Sequence, residues 1–329
     1  MSIRSLLLAP LAALALAAPA LAAPTPGANA GFTVVQVPDP RGPPITVGVW
    51  YPTDAPAAPM TLGIGAQTVA RGAPLVGDHL PLIVMSHGNG GFFGGHADTA
   101  QALAQAGFVV AALTHVGDNY RDQSRATDMA NRPRQLSLLI DYMLTAAPMT
   151  AAIDPDRVGA FGFSSGGFTV LVAAGATPDL TKVAPHCQAH PDYFDCKLTK
   201  DNPPPADALS ATWVHDARIK AVVSAAPAMG YALDVSRVTL PLQLWRAADD
   251  RILPDPDYAT AVRAHLSKAP DYHLVTGAGH FDFLTPCNDE GKVSAAFICS
   301  SAPGFDRAAF HRDFDAKVVG FFARELARP

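Results

Sequence analysis

The sequence predicts an α/β fold, a mostly parallel central sheet with helices on both faces. Two observations carry this expectation. The runs Leu82-Ile83-Val84-Met85, Phe108 to Leu113 and Val158 to Phe163 are continuously apolar, as strands buried on both faces should be. They alternate with stretches whose apolar residues recur at helical spacing, such as Leu136, Leu139, Ile140 and Met143 within 128–146. Strand and helix in alternation favour parallel pairing with crossover helices. With 329 residues, 49% of them apolar, the chain can bury a large core.

The elements follow in order. Arg4, the apolar stretch Leu6 to Ala18 (interrupted by Pro10) and the small-residue run Ala20-Leu21-Ala22 read as a secretory signal peptide over 1–22, cleaved near Ala22. The apolar stretch is shorter than the ~20 residues a membrane span needs. The expected location is therefore periplasmic or secreted, without stable membrane insertion. Residues 23–31 read as a flexible spacer. Phe32 to Val37 and Ile45 to Tyr51 are rich in β-branched and aromatic residues and flank a turn-forming stretch, which predicts a hairpin. Residues 52–79 read as a long loop.

After strand 82–85, the composition predicts helix over 96–106, strand over 108–113, helix within 128–146, strand over 158–163 and helix over 165–174. Residues 177–217 break the alternation and read as an inserted loop or cap. Strands 219–224 and 240–245, helix 257–267, strand 272–275 and a final amphipathic helix over about 306–327 complete the chain. No linker separates two cores, so 32–329 is expected to form one domain.

A net charge of −5 and 16% charged residues give no reason to expect nucleic acid or an anionic membrane as a partner. The four cysteines form two local pairs, which predicts disulfides Cys187–Cys196 and Cys287–Cys299 in loops of an exported protein. The other two connectivities remain open. His186, Cys187, His190, Asp192, Asp195 and Cys196 also resemble a zinc ligand set, but an oxidising compartment favours the disulfide, and no metal is expected.

The strongest chemical signal is Gly162-Phe163-Ser164-Ser165-Gly166. It lies where a buried strand meets a helix of small apolar residues. A serine there sits on a strained turn with its hydroxyl exposed above the sheet edge. Ser164 is the candidate nucleophile, and Ser165 lacks the flanking-glycine register. A serine hydroxyl needs a base to take its proton. His280, in Gly277-Ala278-Gly279-His280-Phe281, lies just beyond a strand in a loop with freedom to reach Ser164. His265 and His311 fall on predicted helices and His273 within a strand. The acid that orients the base is expected after strand 240–245, at Asp249 or Asp250.

Developing charge on the attacked oxygen requires two backbone N–H donors. One is expected from Ser165. The other is expected from Ser86-His87-Gly88-Asn89-Gly90-Gly91-Phe92, with Asn89 preferred and Gly90 second. His87 reads as a structural hydrogen-bonding residue. Phe92 and Phe93 beside this loop are candidates to line an apolar substrate pocket.

With these pieces in place the chain resembles the α/β-hydrolase superfamily. More narrowly it is similar to bacterial dienelactone-hydrolase-like proteins and to platelet-activating-factor acetylhydrolase. The residues that carry the likeness are Val49-Trp50-Tyr51-Pro52, Met85 to Gly90, Thr114-His115-Val116-Gly117-Asp118-Asn119, the Ser164 turn with Gly167-Phe168-Thr169, and Gly279-His280-Phe281. The spacing of Asp250 to Pro254 resembles the acid loop of that superfamily, which favours Asp250 over Asp249. The resemblance implies hydrolysis of an ester or lactone, small or polymeric, through an acyl-enzyme and without cofactor. Dienelactone hydrolases proper use a cysteine nucleophile, so Ser164 points to general carboxylic esters. Extracellular polyester or aryl and phthalate-type esters are alternative substrates. A serine peptidase and a non-catalytic ligand-binding relative are alternative functions. The sequence does not give the oligomeric state.

Overall fold

The computed structural model describes residues 27–328. The expected signal peptide, its cleavage point and the start of the spacer lie outside the described residues. Strands β1 (Asn29–Val37) and β2 (Ile45–Thr53) form the expected antiparallel hairpin. The spacer ends earlier than expected. Asn29, Ala30 and Gly31 are already paired with Thr53, Pro52 and Tyr51, and Ala30 is fully buried. Composition alone suggested a linker there, but β2 offers a free edge that these backbone groups satisfy.

The expected loop over 52–79 is also corrected. It contains a second hairpin, β3 (Ala58–Leu62) and β4 (Gly65–Arg71), closed by the two-residue turn Gly63-Ile64. Gly63 has φ of 58°, a conformation glycine adopts without strain. Next come β5 (Leu80–Ser86), α1 (Ala97–Gln105), β6 (Val109–Leu113), α2 (Asn131–Thr145), β7 (Ile153–Phe163) and α3 (Ser165–Ala173). The insertion then contains the short strand β8 (Thr177–Pro178), α4 (Val183–Ala189) and α5 (Phe194–Asp201). The chain continues through β9 (Ile219–Ala225), β10 (Leu233–Asp234), β11 (Leu242–Ala247), α6 (Ala259–His265), β12 (Asp271–Val275), α7 (Asp289–Ser294), α8 (Ala296–Cys299) and α9 (Arg307–Glu325).

Ten strands form one sheet in the order β12-β11-β9-β7-β5-β6-β2-β1-β4-β3. From β12 to β6 every pairing is parallel, and β2 joins β6 antiparallel. The unbroken apolar runs are explained by two cores. Along β5, Leu82 and Val84 enter the core that holds α2 and α3, whereas Ile83 and Met85 enter the core that holds α1 and α9. The chain leaves β5 to one side for β6 and returns on the other side as β7. The carboxyl ends of β5 and β7 therefore flank a topological switch point, where ligands of open α/β sheets bind.

The two disulfides join Cys187 to Cys196 and Cys287 to Cys299. They staple helices as well as loops, because Cys187, Cys196 and Cys299 lie on α4, α5 and α8. Among the described residues, no helix is long and apolar enough to cross a membrane.

Candidate active site

Ser164 occupies the turn between β7 and α3 with φ of 56° and ψ of −120°, a backbone conformation that side-chain-bearing residues rarely adopt. The neighbouring glycines make the turn possible. A Cβ on Gly162 would lie 2.0 Å from the Gly166 carbonyl oxygen, and one on Gly166 would lie 1.9 Å from that of Ser86. The α3 helix can therefore begin directly against the end of β5. The turn is held by the Ser164 N–H, which donates to the Ala225 carbonyl at 2.9 Å.

The Ser164 hydroxyl donates to His280 Nε2 at 3.0 Å. His280 Nδ1–H donates to Asp250 Oδ2 at 2.7 Å. The other oxygen of Asp250 accepts the Ile252 and Leu253 N–H groups at 2.9 and 2.8 Å, which fixes the carboxylate plane. The structure thus brings together the three residues expected from sequence. Asp249 is exposed, and its backbone N–H is bound to the Ala278 carbonyl. Ser164 and His280 are 8% and 4% exposed, so the relay is shielded from bulk water yet reachable from one side. His265 lies exposed on α6, His273 stacks on Trp245, and His311 on α9 bonds the Asp282 carbonyl, so none of these faces Ser164.

The loop after β5 is held by polar contacts the sequence did not reveal. Arg132 on α2 is buried. Its guanidinium donates to the Asp118 carboxylate, to the His87 carbonyl and, at 3.1 Å, to Thr169 Oγ1. Asp118 Oδ1 in turn accepts the Asn89 side-chain amide at 2.8 Å and the Gly90 N–H at 2.9 Å. Gly90 is thereby removed as an oxyanion donor. Among the described residues, the N–H groups of Asn89 and Ser165 donate to no protein acceptor, and both remain candidates for that role. The His115 N–H donates to His87 Nε2, so His87 carries its proton on Nδ1 and donates to the Gly88 carbonyl at 2.6 Å. His87 is a structural residue.

Burial and the adjacent Arg132 cation hold His87 down to about 3. His115 is likewise held well below the usual imidazole range, chiefly by burial. His96 is lowered to about 4, again chiefly by burial. All three stay neutral in the fold near pH 5, where the unfolded chain would protonate them. Asp315 acts in the opposite sense: burial pushes it up to about 7, so the fold holds one proton that the unfolded chain releases. Over these four groups, the unfolded state near pH 5 therefore binds two more protons than the folded one. Stability is present above about pH 6.5 and is expected to fall by about 2–3 kcal/mol per pH unit near pH 5. His96 packs against Phe161 and Phe163, so His96→Phe is compatible with its surroundings. Urea unfolding of that variant should show its stability relative to the parent improving by about 2 kcal/mol between pH 8 and pH 5. An unchanged difference would place the imidazole in water.

A cavity of about 510 Å³ opens beside Ser164 and Ser165 beneath α4 and α5. Its wall is mainly apolar, with Met129, Leu180, Val183, Phe194, Leu198 and Leu253 among the contributors. Phe92 and Phe93, expected to line an apolar substrate pocket, do not line this cavity. Phe93 packs on Phe32 and Trp50, while Phe92 packs on Phe93 and Tyr120, away from this cavity. Their backbone follows the glycine loop, but the rings fill a gap over Gly48 and Gly63. Much of the apolar lining comes from the insertion, whose residues sequence periodicity did not assign to any face, and the rest mainly from Met129, Met229 and Leu253 in loops of the body.

The sheet order, the strained serine turn and the switch-point location are those of an α/β-hydrolase fold. Residues 96–201 match the Prolyl oligopeptidase family, a stretch that contains Ser164 but ends before Asp250 and His280. The chain is 31% identical over 111 residues to "Putative esterase NocK" of Nocardia uniformis subsp. tsuyamanensis. That alignment covers 33% of this chain and 32% of NocK, so the chain spans about a third of that relative's length. A ferulic acid esterase from Streptomyces cinnamoneus has a similar structure, with a TM-score of 0.61 at 18% identity, covering 94% of this chain and 96% of that one.

Proposed function

We propose that the protein is a serine carboxylic ester hydrolase that works through an acyl-enzyme. The observation that carries this reading is the continuous relay of Ser164 Oγ to His280 Nε2 at 3.0 Å and His280 Nδ1 to Asp250 at 2.7 Å. In the proposed cycle Ser164 attacks the ester carbonyl while His280 takes its proton. The N–H groups of Asn89 and Ser165 hold the oxyanion. The imidazolium, steadied by Asp250, gives its proton to the departing alcohol, and water repeats the sequence to free the acid.

The apolar cavity supports an uncharged acyl or aryl group as the part of the substrate held beside Ser164. The ferulic acid esterase likeness is in keeping with an aryl ester. Each methylene of acyl chain buried there is worth at most ~0.8 kcal/mol, or about fourfold in kcat/KM. Kinetics with p-nitrophenyl esters of increasing chain length should therefore rise until the cavity is filled. A flat profile with no turnover of any ester would contradict the reading. The two disulfides support work outside the cytoplasm.

A peptidase is the second reading, favoured by the match of residues 96–201 to the Prolyl oligopeptidase family. A triad does not by itself choose between amide and ester. Prolyl p-nitroanilides, assayed beside the esters, separate the two: the ester reading expects turnover of the esters and none of the anilides.

A further inference from the structure

We propose that His186, His190 and Asp257 form a binding site for a borderline divalent transition-metal ion, zinc in the first instance, that pins the cap to the body of the fold. The inference is independent of the hydrolase reading. His186 lies on α4, and His190 follows its last residue, so the two are four apart and share one side of the helix. Asp257 belongs to the loop that leads into α6. One ligand atom from each of the three lies within 4.8 Å of those of the other two.

The spacing is more informative than the proximity. His190 Nε2 and Asp257 Oδ2 are 3.7 Å apart, too far for a hydrogen bond. Two ligands bound tetrahedrally to zinc at about 2.0–2.2 Å stand about 3.3–3.5 Å apart, so a shift of a few tenths of an ångström would bring this pair to that spacing, with the His186 ligand atom closing on it from within 4.8 Å. Both imidazoles are already oriented. His186 stacks on Tyr231 with ring centres 3.6 Å apart, and His190 stacks on Tyr193 at 4.5 Å. Asp195, the nearby carboxylate, is occupied by the Tyr231 and Tyr258 hydroxyls at 3.0 and 2.8 Å. It therefore acts as a support and leaves Asp257 as the carboxylate ligand. Cys187 and Cys196 are consumed by their disulfide, so the ligand set is two imidazoles and one carboxylate with a fourth position open to water.

Such a set suits zinc, cobalt and nickel and disfavours calcium and magnesium, which need more oxygen ligands. The ion would tie α4, which contributes Val183, Ala184 and Cys187 to the wall of the cavity beside Ser164, to the α6 loop of the body. It would act as a removable cross-link on the cap.

The test uses tag-free, chelator-stripped protein in its disulfide-bonded form. Zinc or cobalt is added and excess is removed by dialysis. The proposal expects one metal ion retained per chain, visible ligand-field absorption with cobalt, and, once zinc is added back to a free concentration near 100 times Kd, a Tm raised by about 3–8 °C. Calcium and magnesium at the same concentration should do neither. His190→Gln and, separately, Asp257→Asn should each lose the retained metal and the Tm shift while keeping the metal-free Tm of the parent. Absence of retained metal and of any Tm shift would overturn the proposal. Retention that survives in His186→Gln/His190→Gln would overturn it equally, by locating the metal elsewhere. None of these readouts depends on hydrolysis, so they stand or fall apart from the esterase reading.

Discussion

Replacing Ser164 with alanine is expected to lower kcat for p-nitrophenyl esters by about 10⁴–10⁶-fold while leaving Tm and KM close to those of the parent. The side chain makes one hydrogen bond, to His280, and its removal leaves the turn intact because that turn is fixed by the Ser164 N–H and by the flanking glycines. Loss of His280 should cost a similar factor, and the two losses should not multiply, since each residue is useless without the other. Asp250 and Asp249 provide the sharper contrast. Asp250→Asn keeps the shape but alters which proton the imidazole carries, and about 10⁴-fold should be lost. Asp249→Asn changes an exposed carboxylate that does not reach the imidazole, and kcat/KM should stay within about twofold of the parent, as for other surface substitutions. Steady-state kinetics of the two neighbouring variants would decide between them, and an equal loss in both would remove the orienting role from Asp250.

The second large effect is expected at Arg132. This guanidinium is buried, pairs with Asp118, and holds the His87 carbonyl, so it fixes the loop that carries Asn89. Arg132→Met should cost about 3–5 kcal/mol of stability, because Asp118 is left buried without its counter-charge. It should also lower kcat by about 10²–10³-fold through the displaced Asn89 N–H, the penalty typical of one lost oxyanion donor. The double variant Arg132→Met/Asp118→Asn separates the two effects. Removing the orphaned charge should recover much of the stability in urea unfolding, whereas the rate should stay low because the loop has lost both ends of its tether. Recovery of rate together with stability would mean that Arg132 supports the fold and nothing more specific.

Much of this architecture was legible in the residue order for simple reasons. Strands such as β5 and β7 are buried on both faces, so their apolar runs are unbroken, and the serine turn is short enough for its glycine requirement to appear as a local pattern. His280 stood out because its loop is rich in glycine and follows a strand. The parts that escaped depend on contacts distant in sequence. The hairpin β3–β4 sits at the sheet edge, where half-exposed residues interrupted by proline and glycine carry no strong alternation. The Arg132–Asp118 pair joins the start of α2 to the turn after β6, and no local signal links them although Thr114 to Asn119 is itself distinctive. Asp257 lies far along the chain from the cap histidines, so only the fold brings a carboxylate to them. Phe92 and Phe93 erred in the other direction: adjacency to the glycine loop placed them near the site in sequence, but their half-buried rings pack on each other and on Phe32, Trp50 and Tyr120.

The claim on which the rest depends is that the Ser164 hydroxyl is a nucleophile activated by His280. A fluorophosphonate reagent with an alkyl chain, followed by peptide mapping, tests it directly. The account predicts stoichiometric adduct on Ser164, no adduct in Ser164→Ala, and labelling of His280→Ala slowed by several orders of magnitude in a protein that remains folded. A chain that stays unlabelled, or that carries its adduct on another residue such as Ser165, would contradict it.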